Sequence, residues 1–206
     1  APATVASDIC ATPAATEAFF KTYYGPNNAT VAIVGDINPK EVIALIEQTF
    51  GKIPAAPPIP SLVTEEPPQR GERRVETGFD AEHALAIGEH KPTIGHPDDF
   101  VFDVIDAVLT EGVTSRLYST LLRDKRLAAS VLSDTNYPGV RAPNLFVIAA
   151  TPLAPHTTPE VESAIYEELD RLKAEPISTK EFERVLNGLD ADLVRSLRSN
   201  SGLASQ

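Results

Sequence analysis

Methionine is absent from this 206-residue sequence, and cysteine occurs once, as Cys10. A single cysteine can form neither an intrachain disulfide nor a zinc site built from cysteines. Because the chain also begins without methionine, we expect it to be a fragment of a longer protein, so missing targeting signals say little about the parent. The cysteine count fits a cytosolic and a periplasmic protein equally; a periplasmic or other bacterial envelope compartment is the expected location.

Basic residues are few beside the acidic ones, since 18 Lys and Arg stand against 29 Asp and Glu, for a formal net charge of -11. This balance argues against a general nucleic-acid partner, whose phosphates such a surface repels. No apolar run approaches the roughly 20 residues of a membrane-spanning helix. Hydrophobic residues still make up 42% of the chain, which is enough to bury a core in one domain or two small ones.

The most informative stretch is FFKTYYGPNNATVAIVGDI, at residues 19–37. A predicted helix ends near Tyr24, where a Gly-Pro-Asn-Asn turn stops it. Residues 30–34 are a β-branched run, short enough to predict a buried strand. A second helix follows, with Asn38 as its N-cap and Gly51 closing it.

A proline-rich stretch marks the clearest boundary in the chain, because residues 54–71 hold six prolines. We assign residues 57–71 to a semi-rigid extended linker. Before it, residues 1–12 are expected to be disordered or to lie next to a tag, and residues 13–56 form the helix–strand–helix segment. After it, residues 72–206 form a second region.

The second region alternates strand and helix patterns, and it predicts an α+β fold with a mostly antiparallel sheet and helices on one face. The predicted strands cover residues 73–77, 83–89, 127–136 and 144–151. The predicted helices cover residues 98–109, 114–122, 158–174 and 178–199.

Four segments, in this order, resemble the pitrilysin/insulinase-like zinc metallopeptidases, which include the mitochondrial processing peptidases. The first is Phe-Phe-x-x-Tyr-Tyr-x-Pro-Asn-Asn with the later Val-Gly-Asp, and the second is Phe-Gly-Lys-Ile-Pro at 50–54. The third is Gly-Val-Thr-Ser-Arg-Leu-Tyr at 112–118, and the fourth is Leu-Arg-Asp-Lys-Arg-Leu-Ala at 122–128. With a late-helix start at 177–182, the resemblance covers roughly residues 14–206.

The resemblance implies two homologous lobes that face each other around a peptide-binding chamber, with zinc held by an inverted His-x-x-Glu-His motif in the first lobe. It also implies that residues 13–56 are the end of the catalytic lobe and that residues 72–206 are the "inactive" lobe without its last helix and strand. We therefore expect residues 30–35 to join the sheet of that second lobe, in the same chain or by exchange in a homodimer, because an open apolar edge is a liability.

None of the four histidines, at positions 83, 90, 96 and 156, has the spacing of a His-x-x-Glu-His or His-Glu-x-x-His zinc motif. The sequence thus predicts no catalytic residue, no metal ligand and no cofactor in this chain, with zinc expected in the parent or in a partner chain.

Arg123 and Arg116 are the candidate substrate-binding residues. The resemblance implies that an Arg at position 123 and a Tyr a few residues later hold substrate and polarise the scissile carbonyl. Here the family's Gly is missing from that run, and Ala129 stands where relatives have the Tyr. Arg123 either binds peptide carbonyls or forms a surface ion pair with Asp124, while Arg116 either contacts peptide or belongs to a structural helix start.

The leading functional hypothesis is a non-catalytic domain that forms one wall of the chamber and binds unfolded peptide, by strand addition to a sheet edge. Its partners would be that peptide and the catalytic lobe or a partner subunit of the same family. The alternative is a catalytically inactive structural or assembly subunit. A self-sufficient enzyme is disfavoured by the missing zinc motif.

Overall fold

The computed structural model describes residues 12–60, 69–78, 80–140 and 143–205. They fall into two units. The first unit comprises the chain up to Arg74 together with the chain from Arg195 onward, and the second unit comprises residues 75–194.

In the first unit, two α-helices begin at a proline with a capped N-terminus. Helix α1, Pro13–Tyr23, is capped by Thr12, whose side chain accepts a hydrogen bond from Ala15 N at 3.2 Å. Helix α2, Pro39–Thr49, is capped by Asn38 Oδ1, which accepts from Lys40 N at 3.1 Å. Proline suits the first helical position because its missing N–H would have no partner there.

The second unit is built on a three-stranded antiparallel sheet. Its strands are β1, Leu85–Lys91; β2, Ala128–Tyr137; and β3, Asn144–Pro152. Their order in the sheet is β1-β3-β2, so β3 pairs on both sides. Ile87 lies opposite Ile148, and alternation along each strand sends one set of residues to each face.

Helices surround one face of this sheet. They are α3, Asp99–Leu109; a π-helix, Tyr118–Asp124; α4, Thr158–Ala174; and α5, Thr179–Ser196. A short α6, Asn200–Ser205, follows in the first unit. No helix in the described ranges is both long enough and apolar enough to cross a membrane.

The hydrophobic core lies between the sheet and the helices of the second unit. Its buried side chains from the strands include Ile87, Phe146 and Ile148, and α4 contributes Val161 and Ile165. All the buried hydrophobic residues that the structure describes lie between positions 87 and 185. Neither α1 nor α2 contains a buried residue.

A buried ion pair fastens the start of α3 to the end of β1. Lys91 Nζ donates to Asp99 Oδ1, and the Lys91 side chain has no exposed surface. The ammonium also lies 5.6 Å from the centre of the Phe102 ring, a distance at which the ring face attracts a cation.

The predicted fold class is confirmed, and so are the strands at 83–89, 127–136 and 144–151 and the helices at 98–109 and 158–174, with small shifts at their ends. The predicted helix at 114–122 is a π-helix over Tyr118–Asp124. The helix predicted over 178–199 is α5, Thr179–Ser196, and the short α6 follows it from Asn200.

The strands predicted over 30–34 and 73–77 are wrong for this chain, since no described residue before Leu85 belongs to a strand. The same-chain prediction that residues 30–35 join the sheet is therefore wrong as well; exchange in a homodimer stays a prediction. A β-branched run indicates side chains suited to a buried strand. A strand also needs a neighbouring strand whose backbone pairs with its own N–H and C=O groups, and the run does not show whether one is present. Residues 1–11 and 61–68, which hold most of the predicted disordered segment and part of the predicted linker, lie outside the described residues.

Candidate peptide-binding surface

Arg123 lies near the end of the π-helix and pairs with its neighbour Asp124. Its Nε donates to Asp124 Oδ1 at 2.8 Å and its Nη2 to Oδ2 at 3.2 Å. The hydrogen bond from Arg123 lowers the pKa of the Asp124 carboxyl. Both side chains are 58% exposed, so water screens the pair and the guanidinium can exchange this acceptor for another at little cost.

Arg116 is held in a different way, by a carboxylate from α5. Its Nε and Nη2 each donate to a Glu181 oxygen at 2.9 Å, with only 16% and 19% of the two side chains exposed. The hydrogen bond from Arg116 lowers the pKa of Glu181 against the opposing effect of burial. Such a bidentate pair joins the segment before the π-helix to α5, which is the structural one of the two roles considered for Arg116.

A polar cavity of about 420 Å³ lies between the π-helix and α4, and Asp124, the partner of Arg123, is one of its lining residues. Thr120 Oγ1 donates to Glu168 Oε1 at 2.9 Å, and Lys125 Nζ pairs with Glu167 at 2.9 Å. Glu168 also accepts from Arg171 at 3.0 Å. Because the charges are paired with one another, these contacts support the π-helix rather than offering a site for a charged ligand.

The second face of the sheet carries apolar side chains with no helix over them in the second unit. The apolar residues of this open face alternate with the core positions and are Ala86, Gly88, Leu132, Leu145, Val147 and Ala149, while His90 and Asp134 are polar residues on the same face. Leu132 is 55% exposed. An antiparallel sheet with one face in water usually carries polar residues there, so an apolar open face indicates an interaction surface.

Gly88 lies on the open face in the outer strand β1. A Cβ at this position would lie 3.3 Å from Leu145 Cδ1, which is tighter than ordinary van der Waals contact. The missing Cβ thus leaves room for the Leu145 side chain of the neighbouring strand β3.

Both outer strands have one side without a strand partner among the described residues, because the order is β1-β3-β2. Each therefore has an outer edge along which an extended segment can add as a further strand. An apolar face that ends in such edges can bind an unfolded peptide through backbone hydrogen bonds, with alternate side chains on the face.

The sequence predicted the candidate arginines but missed the open face. The structure places Arg123 and Arg116 at separate positions with different partners. The missed signal lies in β3, where Leu145, Val147 and Ala149 are apolar although they alternate with core residues. Such a run predicts a strand that is covered on both faces, but it does not show what covers the second face.

Metal binding finds no support in the described part of the chain. There, no group of three or more His, Cys, Asp and Glu side chains could hold a metal ion. His156 lies 3.6 Å from Glu160 and His96 lies 3.7 Å from Asp98, so each has a carboxylate neighbour but not a ligand set.

Residues 11–189 match the family model of the peptidase M16 inactive domain. The chain is 30% identical over 190 residues to the zinc protease PqqE of Helicobacter pylori, covering 90% of this chain and 42% of that protein. Its structure is similar to the crystal structure of a protease from Helicobacter pylori, with a TM-score of 0.86 and 29% identity over 94% of this chain and 48% of that one. The peptidase M16 inactive domain from Pseudomonas fluorescens has the same fold, with a TM-score of 0.68 at 22% identity, covering 95% of this chain and 45% of that chain.

The family predicted from the four motifs is thereby confirmed, together with the inactive type of domain. The chain spans less than half the length of these relatives, at 42% of the Helicobacter protein by sequence and 48% of the solved protease by structure.

Proposed function

Since the chain belongs to the family of the peptidase M16 inactive domain, we propose that it is the non-catalytic, peptide-binding and chamber-forming part of a zinc metalloendopeptidase. The zinc site belongs to the parent protein or to a partner chain of the same family. The observation that carries this proposal is the open face of the sheet with its apolar side chains, together with two outer strands that have no further strand neighbour among the described residues.

Unfolded peptide is the ligand chemistry that this surface fits. The backbone of an extended peptide satisfies the free groups of an edge strand, and it does so with little dependence on sequence. Leu132 on β2 and Val147 on β3 offer apolar contacts to the side chains that point toward the open face. A peptidase that takes varied unfolded substrates needs this kind of tolerant contact.

Arg123 is proposed as a second, polar contact to the peptide, on the π-helix of the helical layer and apart from the open face. Its guanidinium is exposed, and its current acceptor, Asp124, is an adjacent carboxylate in water. A peptide carbonyl can replace that acceptor without leaving a buried charge unpaired. Arg116 is the weaker of the two candidates, because contact with peptide would require it to leave the partly buried Glu181.

An assembly subunit without peptide binding is the second candidate function. It is favoured by the exposed aromatic side chains of the first unit, where Phe20 and Tyr24 stack with ring centres 4.0 Å apart. Phe19 lies beside them and is also exposed. Exposed clusters of large aromatic residues are typical of surfaces that another protein covers.

Fluorescence anisotropy of a fluorescein-labelled, unstructured peptide tests the proposal on the full 206-residue chain. Leu132→Lys places a charge on the open face, and we expect it to weaken binding at least ~10-fold, which corresponds to about 1.4 kcal/mol. Leu45→Lys is the matched control, because Leu45 is 60% exposed on α2 and Leu132 is 55% exposed on the sheet. Arg123→Ala should weaken binding as well, with the fold unchanged by circular dichroism.

Three outcomes decide between the candidates. Binding that Leu132→Lys weakens and Leu45→Lys leaves unchanged supports the peptide-binding function. No binding by the unaltered chain, or equal loss in both lysine variants, contradicts it and favours an assembly subunit. Stoichiometric zinc together with hydrolysis of a quenched fluorescent peptide by this chain alone would overturn both.

A further inference from the structure

Residues 29–34 are an extended apolar segment that belongs to no strand of the described chain. No helix, turn or bend interrupts them, and Ala29 at their start has φ -113° and ψ 136°, which are dihedral angles of the β region. Their sequence, Ala-Thr-Val-Ala-Ile-Val, contains four β-branched residues, the type that strands favour. Because the segment is already extended, little conformational entropy is left to lose when it pairs.

The same segment is exposed, and its backbone lacks hydrogen-bond partners. Val31, Ile33 and Val34 have 68%, 45% and 37% of their surface exposed. Residues 30–34 form no backbone hydrogen bond with the described part of the chain. An exposed, apolar and extended segment of this kind is a template for pairing with another chain.

The two outer strands of the sheet differ in how well they could accept such a segment. β1 pairs with β3 over the whole of Leu85–Lys91 without a break in register. β2 has two register shifts, between Ala128 and Ser130 and between Asp134 and Tyr137. Irregularities of this type bend an edge strand and protect it against added strands. β1 therefore has the more regular edge and is the better acceptor.

The segment and the β1 edge agree in length and in charge. At about 3.3 Å per residue, residues 29–34 span about 20 Å and Leu85–Lys91 span about 23 Å. The segment contains no charged residue, so Glu89 and Lys91 on β1 meet no like charge in it. No described strand lies on the outer side of β1 within its own chain, whereas every copy of the chain carries both a segment and an edge.

We propose that two copies of this chain form a closed homodimer in which residues 29–34 of each copy add as a strand to the outer edge of β1 of the other. The exchange is reciprocal, and two such junctions related by a two-fold axis use both segments and both β1 edges. Each sheet then has four strands. The β2 edge and the open face remain available for a peptide.

Sedimentation equilibrium of the full chain measures the dimer directly. The chain should change from a monomer to a species of twice 22.1 kDa as its concentration rises to about 100 μM. Because each copy carries a net charge of -11, added salt screens the repulsion between copies and should strengthen the dimer. A monomer over the whole range overturns the proposal, and so does open-ended growth beyond two copies.

Proline substitutions test the donated segment. Adjacent residues of a strand direct their N–H groups to opposite edges, so either Ala32→Pro or Ile33→Pro removes a donor that faces β1. We expect that variant to weaken dimerisation at least ~10-fold, since proline removes a ladder hydrogen bond. Val75→Pro is the matched control, because Val75 is 85% exposed and also lies outside the helices and strands. Unchanged dimers in both segment variants, or an equal loss in the control, contradict the exchange.

Cross-linking identifies the accepting edge without any proline variant. Chains with Ala32→Cys are mixed with tagged chains that carry either Glu89→Cys on β1 or Ser130→Cys on β2, all in a Cys10→Ser background, and a short bis-maleimide is added. Glu89 and Ser130 are both exposed residues of outer strands. A covalent product between the two kinds of chain is expected with Glu89→Cys and not with Ser130→Cys. Any other pattern overturns the assignment of the segment to β1.

Discussion

The two units of this chain have similar helices but very different surroundings. In the second unit, α3 and α4 place side chains such as Leu109 and Ile165 in a core without exposed surface. In the first unit, α1 and α2 have good caps and amphipathic sequences, yet neither has a buried residue. Local sequence signals thus form helices in both units. Among the described residues, only the second unit has a buried hydrophobic core for its helices to pack against.

This difference shows where the stability of the chain lies. Most of the free energy that holds a helix in a protein comes from packing of its apolar face and not from propensity or caps. The exposed apolar residues of the first unit, among them Phe20 on α1 and Ile43 on α2, therefore add little packing energy to their helices. Equivalent substitutions in the two units should have unequal effects, and each prediction below tests that inequality.

The largest effect is expected at the buried ion pair. Lys91→Met leaves Asp99 buried without a partner, which should cost about 3–5 kcal/mol in the free energy of unfolding. Lys21→Met is the matched change in the first unit, where Lys21 pairs with Glu17 at 2.7 Å but both side chains are largely exposed. That change should cost at most about 0.5 kcal/mol. Urea denaturation measures both, and equal losses would contradict the distinction between the units.

Leucine truncation should show the next largest difference. Leu109→Ala removes a side chain with no exposed surface from the core, and the cavity it leaves should cost about 2–5 kcal/mol. Leu45→Ala on α2 removes a mostly exposed leucine and should stay within about 0.5 kcal/mol. If Leu45→Ala were as destabilising as Leu109→Ala, then the first unit would have a core of its own in solution.

Arg116 and Arg123 should respond differently to substitution. We expect Arg116 to act on stability and Arg123 to act on peptide binding. Arg116→Ala should lower the free energy of unfolding by roughly 1.5–3 kcal/mol, because two charge-assisted hydrogen bonds to Glu181 are lost. Arg123→Ala should leave stability unchanged and act on peptide binding alone. Melting curves and the anisotropy assay of the same two proteins check this assignment.

The Arg116 pair also has its own pH dependence. Because its partner lowers the pKa of Glu181 below the ordinary 4.5, its stabilisation is present above that value and is lost as the pH falls through the folded-state pKa. Arg116→Ala should therefore flatten the acid side of the stability profile. An unchanged acid side would show that the pair contributes nothing measurable.

The sequence predicted local elements well and their partners poorly. Caps such as Asn38 and the apolar periodicity of α4 depend on neighbours within a few residues, so the pattern alone located them. The strand expected at residues 30–34 requires a second strand, and no rule of composition says whether one is available. The Glu181 partner of Arg116 lies 65 positions along the chain, and a contact over that separation depends on the tertiary fold.

Removal of a helix cap should give the smallest loss of stability. The two units should differ in whether that loss is global or confined to one helix. Asn38→Ala should cost α2 about 1 kcal/mol, and Thr157→Ala should cost α4 a similar amount, since it removes the capping-box hydroxyl Thr157 Oγ1, which donates to Glu160 Oε2 at 2.9 Å. Because α4 carries Val161 and Ile165 into the core, its loss should appear in the global unfolding of the second unit. The loss at α2 should appear only as faster amide hydrogen exchange within that helix. A fall in global stability on Asn38→Ala would mean that α2 is coupled to a folded core, and the contrast between the two units would then be lost.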